Sequence, residues 1–211
     1  MGYMLRVSFA VFLLAGFAIP ASARPVSYPD GWMLMSMNNA SENSLMLSYS
    51  PTAKDAFGVR SDYRRDEKYW LHTAIYNRLL QRWNRPNSQA NIFLQAGAGF
   101  GKKGSRAEPA ASIGLEADWE TRRFYLSYEN RFIAAGSIER DFTHKARFGV
   151  APYVAGYNGL HSWLMVQIEH QPDKSHSVTV TPLVRVFTTD VLGEIGISSK
   201  SDVMINLTLQ F

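Results

Sequence analysis

A His and a Ser two residues apart on a β-strand point to one face, where the imidazole can take the hydroxyl proton for acyl transfer. The 211-residue chain holds no His-x-Ser. His161-Ser162 and His176-Ser177 are adjacent, and neighbouring strand residues point to opposite faces. His144 near Asp141 and His170 near Asp173 match acid–imidazole chemistry by residue type alone, and solvated rim residues account for them better. No catalytic residue is assigned, and the chain reads as a non-enzyme. The five histidines, at 72, 144, 161, 170 and 176, show no ligand spacing for a metal ion. Thioethers are the other candidate donors. Met33, Met35 and Met37 share one strand face and Met46 follows on the next strand, a composition that suits soft ions such as Cu(I). Because Ser36 and Asn38 occupy the other face, the Met face is the apolar one and is expected to meet lipid. No metal or other cofactor is therefore assigned. Gly97-Ala98-Gly99-Phe100-Gly101 lies inside a strand pattern, where small residues make room for facing side chains, and is no phosphate loop.

The elements that must carry these residues are strands. Alternation with period two recurs along the chain, and it marks strands with one apolar and one polar face. Ala111, Ile113, Leu115, Ala117 and Trp119 alternate with Ser112, Gly114, Glu116, Asp118 and Glu120. Phe124, Leu126, Tyr128 and Phe132 oppose Arg123, Ser127, Glu129 and Arg131. Turn signals such as Asn38-Asn39, Lys102-Lys103-Gly104-Ser105, Tyr157-Asn158-Gly159 and Gln171-Pro172-Asp173 punctuate the runs. The pattern predicts about twelve strands, with ten as the alternative, at 30–38, 44–50, 56–65, 67–78, 90–101, 108–120, 122–133, 142–154, 160–170, 176–187, 189–198 and 201–211. Tyr69 to Trp83 also places Leu71, Ile75, Leu79 and Trp83 at helical spacing, so a helical or irregular connector is open there. The stretch Arg82 to Ser88 reads as a long loop.

The first residues read as a targeting segment. Arg6 is followed by an apolar run from Val7 to Ile19, and Pro20-Ala21-Ser22-Ala23 supplies an A-x-A site. That pattern predicts a signal peptide over 1–23, cleaved after Ala23, and a single domain over 24–211. The apolar run is shorter than the ~20 residues of a spanning helix. There is no cysteine, hence no disulfide and no lipidated Cys. The net charge of +4 is spread among acidic residues, whereas a nucleic-acid binder would cluster its Lys and Arg in a patch.

The last segment carries a resemblance. Val203, Ile205, Leu207, Leu209 and the final Phe211 alternate strictly, and this resembles the C-terminal assembly signal of bacterial outer-membrane β-barrel proteins. The resemblance implies a closed, all-β, antiparallel, up-and-down transmembrane barrel in the cell outer membrane. The barrel assembly machinery and outer-membrane lipid would be its partners. Trp32, Trp119 and Phe211 would form interface aromatics at one membrane surface. Arg60, Asp62, Glu116, Glu129, Arg131, Lys145, Arg147, Glu169 and Arg185 then fall on the polar face as a lumen network. The expected role is structural or the passage of a small solute or ion. A lipid-modifying enzyme, a soluble lipocalin-like periplasmic binder and a copper-related barrel are the alternatives.

Overall fold

A computed structural model describes residues 24–156, 159–174 and 177–211. The expected signal peptide, His176 and the turn at 157–158 lie outside them. Twelve strands follow in chain order: β1 (Gly31–Asn38), β2 (Glu42–Ser50), β3 (Asp55–Arg64), β4 (Tyr69–Arg85), β5 (Ser88–Lys103), β6 (Arg106–Thr121), β7 (Phe124–Ala135), β8 (Glu139–Val150), β9 (His161–His170), β10 (Val178–Phe187), β11 (Val191–Ile197) and β12 (Val203–Gln210). Each pairs antiparallel with its sequence neighbours, and β1 pairs with β12, so the sheet closes into a barrel with no free edge. Closure continues past the last strand. Trp32 N–H donates to Phe211 O at 2.6 Å, and Phe211 N–H donates to Trp32 O at 3.0 Å. The even strand number leaves both termini at one end, called the near end below.

The barrel is apolar outside and charged inside. Leu45, Val59, Ile113, Leu115, Leu126, Phe148, Leu164, Ile168, Ile195, Val203, Ile205 and Leu207 all point out and are exposed. Between them in sequence, Glu116, Ser127, Gln167, Glu194, Asn206 and Thr208 point in. A lipocalin-like binder would line its interior with the apolar set, so that alternative does not fit this arrangement. Apolar outward residues next to polar inward ones on most strands fit a spanning barrel, whose closed sheet pairs every backbone group internally as lipid requires.

Exposed aromatics gather at two levels. Trp32, Phe57, Trp83, Trp119, Phe124 and Phe211 stand at the near end. At the far end Trp70 stacks near Tyr63 and His72, with ring centroids 5.1 and 5.8 Å apart, and Phe100 lies 5.2 Å from His72.

Two expectations change. The strand expected at 67–78 is present and longer than expected: β4 runs to Arg85, paired with β5, in place of the helical connector and loop left open there. A register shift between Leu79 and Gln81 absorbs the irregular pattern there. The predicted loop shrinks to Pro86 and Asn87. Glycine is required at two positions of the neighbouring hairpins. Gly104 adopts φ +62° in the tight β5–β6 turn. A Cβ on Gly99 would lie 1.9 Å from the His72 carbonyl oxygen, so its smallness admits the adjacent backbone rather than a facing side chain.

The second change concerns the methionines. Met33, Met35 and Met46 are buried on the inward face and pack with Ile75 and Met37. The Met face does not meet the outside. Trp32 and Leu34 alternate with the methionines, so both faces of β1 are apolar and hydrophobicity cannot set the phase. The register does: Met35 lies opposite Met46 on β2 and Thr208 on β12.

Candidate lumen site

All nine expected lumen residues project inward, and every one meets a polar partner or lines a cavity. Near the far end, Arg60 donates to Asp62 at 2.7 Å and to Glu42 at 3.0 Å. Arg131 lies 2.9 Å from Asp62. Arg64 joins Glu42, Glu139 and Asp141 at 2.9, 3.1 and 2.8 Å. Tyr69 donates its hydroxyl to Glu139 at 2.7 Å. Three guanidiniums thus interleave with four carboxylates. Alternation marks Glu42, Arg64, Glu139 and Asp141 only as strand-end residues, and the curvature of the barrel brings them together.

At mid-height Lys145 reaches Glu129 at 3.4 Å. Glu116 accepts from Gln95 at 2.9 Å. Glu169 accepts from Gln167 at 3.4 Å and Gln171 at 3.3 Å. Lower down, Glu194 accepts from Arg185 at 2.7 Å, Arg147 at 3.2 Å and Asn206 at 2.7 Å. The Arg185 guanidinium also lies over the Tyr125 ring, 4.8 Å from its centroid. Ions so enclosed persist only when geometry and further hydrogen bonds compensate for lost water, and the tiers largely meet that condition, with Asp141 Oδ1 left without a partner among the described residues.

The near-end mouth is filled by the chain's own strap, residues 24–28, ahead of β1. Arg24 ion-pairs with Glu120 and stands 4.0 Å from Asp118. The Asn77 side-chain amide donates to the Pro25 carbonyl at 3.1 Å, and Ser27 N–H donates to Ser50 Oγ at 3.0 Å. Val26 packs with Ala56, Leu79 and Phe93. Nothing in strand periodicity announces this strap, because it precedes the first alternating run.

Among the described residues, cavities lie along the barrel interior. The larger, about 80 Å³, lies between the strap residue Pro25 and the mid-height charges. The smaller, about 40 Å³, opens toward the far-end turns at Asn39, Ser41 and Gln171. Both are lined by Met37, Arg60, Glu129 and Lys145, which therefore form the constriction between them. Each volume suits a few water molecules and no large solute.

The predicted assembly residues Val203, Ile205 and Leu207 face out on β12, with Leu209 half-buried and Phe211 exposed. The expected interface aromatics Trp32, Trp119 and Phe211 stand exposed at one end. His144 and Asp141 do not meet. Asp141 points in to Arg64, whereas His144 faces out, hydrogen-bonded to the Tyr128 hydroxyl at 2.6 Å and beside His170 at 5.8 Å. A pair that sequence spacing could not reveal does form: Ser61 Oγ lies 2.8 Å from His72 Nδ1 across β3 and β4, on the outward face. Among the described residues no carboxylate is hydrogen-bonded to the His72 ring, so the acid that orients such a base is missing.

No protein-family model matches the chain. No curated protein matches it either. Solved structures do match in fold. The KdgM porin in complex with disordered oligogalacturonate aligns over 86% of this chain and 98% of its own, with TM-score 0.52 and 7% identity. The KdgM porin without that ligand aligns over the same shares with TM-score 0.50 and 8% identity. The chain is thus a twelve-stranded barrel similar in fold to outer-membrane porins.

Proposed function

We propose that this protein is a narrow, porin-like barrel of the outer membrane that admits only ions and small polar solutes past a charge-paired constriction. The observation that carries the reading is the pair of polar cavities meeting at Met37, Arg60, Glu129 and Lys145 inside an inside-out barrel. In this reading the signal peptide is removed after Ala23, the near end faces the periplasm, and the assembly machinery engages the strand ending at Phe211. The strap then closes the periplasmic mouth from within. A similar fold in complex with an oligogalacturonate, the KdgM porin, supports polar solutes as the class that such a scaffold admits. The cavities of this chain restrict that class to its small members. The test is cell fractionation joined to conductance of the refolded protein in planar bilayers. Outer-membrane recovery with small unitary currents is the expected result. Recovery in the soluble periplasm would overturn the reading.

A further inference from the structure

The methionines are sorted by face. All six among the described residues, at 33, 35, 37, 46, 165 and 204, point inward. The exposed large apolar residues are Leu, Val, Ile, Phe, Tyr and Trp, with no Met. If these positions required only a flexible apolar side chain, either face would serve. Four of the six form one patch on adjacent strands. Met35 sits directly opposite Met46, Met33 is opposite Ser48, and Met37 is opposite Ser44. Met35, Met37 and Met46 line the larger cavity, and Met37 alone of them also lines the smaller one. Their thioethers therefore border the route along the barrel axis, at and just below its constriction.

Most donors around them are already engaged. Glu42, Asp62, Glu129 and Glu194 each accept from an Arg or Lys. Four of the nearby carboxylates are thus committed to internal ion pairs, and what is left beside the cavity is the Glu116 carboxylate, held by Gln95 alone, the neutral hydroxyls of Ser44 and Ser48, and the thioether sulfurs, the soft donors of the set. The larger cavity is lined by three cationic and three acidic side chains, namely Arg60, Lys145, Arg147, Glu116, Glu129 and Glu194, so no net field is aimed at a passing ion. Selection under these conditions rests on ligand softness. Thioethers favour Cu(I) and similar d¹⁰ monovalent ions over Mg²⁺, Ca²⁺ or Zn²⁺.

We propose that Met35, Met37 and Met46, with Met33 beneath them, form a lumenal binding site for a soft monovalent cation of the Cu(I) class. The site goes beyond the passage of small polar solutes and stands or falls separately from it. Cu(I) binds as supplied, with no change of oxidation state.

The test is competition of the refolded mature barrel against a chromophoric Cu(I) chelator, repeated with Ag(I) as a redox-inert probe. The wild type is expected to withdraw one equivalent of ion. The Met35→Leu, Met37→Leu, Met46→Leu variant keeps side-chain volume, so the fold is retained, as heat-modifiable migration will verify. Even outer-shell losses weaken metal sites by about 10–100-fold, so loss of three ligands is expected to weaken binding by at least that much. Met165→Leu with Met204→Leu, in the separate cluster around Trp163, leaves affinity unchanged. Should the triple variant fail to fold, Met37→Leu alone is expected to lower affinity at the junction. The proposal is overturned if the wild type takes no more ion than the triple variant, or if the Met165/Met204 variant loses as much. Conductance measured without metal reports on solute passage alone, so the two readings fail independently.

Discussion

Replacing Arg24 by Ala releases the strap that fills the near-end mouth. Among the described residues Arg24 is the only cation within ion-pair distance of Glu120 and of buried Asp118. Removing one member of a buried ion pair costs about 3–5 kcal/mol, because the other charge is stranded. Asp118 keeps the Asn91 amide at 2.7 Å, so the lower figure applies, about 3 kcal/mol. At ~1.4 kcal/mol per factor of ten, the detached fraction of the strap rises roughly a hundredfold. The assay is amide hydrogen exchange at Ser27, whose N–H is tied to Ser50 Oγ at 3.0 Å. Ser27 exchange should accelerate by about that factor while the ladder amides of β4 to β7 keep their protection, since the strap opens locally. Arg24→Ala combined with Asp118→Asn and Glu120→Gln removes both stranded charges. It should recover global stability without recovering Ser27 protection. Unchanged Ser27 exchange in Arg24→Ala would refute the view that this ion pair holds the strap.

Other outcomes follow from the facing of residues and the closure of the sheet. Leu126 points out and Ser127 points into the barrel, so Leu126→Arg should cost about 2–4 kcal/mol of folding stability in lipid, against little for Ser127→Arg, in urea titrations of vesicle-inserted protein. Equal costs would reverse the assigned faces. Phe211 completes the β1–β12 closure through two hydrogen bonds with Trp32, so deleting it or introducing Phe211→Asp should sharply reduce the heat-modifiable, inserted fraction, and an unchanged yield contradicts the assembly role. Arg131→Ala with Arg147→Ala leaves Glu42, Asp62 and Glu194 in excess. Reversal potentials in a salt gradient should then shift toward cation selectivity, and a shift toward anions counts against the pairing scheme.

Most of the architecture was legible because barrel strands with one apolar and one polar face write their period directly into the chain. The pairs Leu115/Glu116 and Leu126/Ser127 declare their faces unaided. The β1 strand did not, because Trp32 and Leu34 are as apolar as the methionines they alternate with, and only pairing with β2 and β12 turns the sulfurs inward. The stretch through Leu79 misled for a related reason. Leu71, Ile75 and Leu79 share the inward face at a spacing of four, which suits a strand and a helix alike, and the register shift between Leu79 and Gln81 then turns Trp83 outward. The lumen charges on mid-strand positions were visible, but their partners were not. Arg64 meets Asp141 from 77 residues away, and Ser61 meets His72 across a hairpin, relations set by register and curvature. The strap stayed hidden because burial of Arg24 depends on a mouth that exists only after the barrel has closed.

The central claim is that the lumen is narrowed by its own ion pairs and strap, and single-channel recording of the wild-type protein in planar bilayers addresses it most directly. With cavities of about 80 and 40 Å³ that share Met37, Arg60, Glu129 and Lys145 as common walls, unitary currents should be small or absent, and they should grow when residues 24–28 are deleted. A large, steady, porin-like conductance in the wild type, unaltered by that deletion, would contradict it.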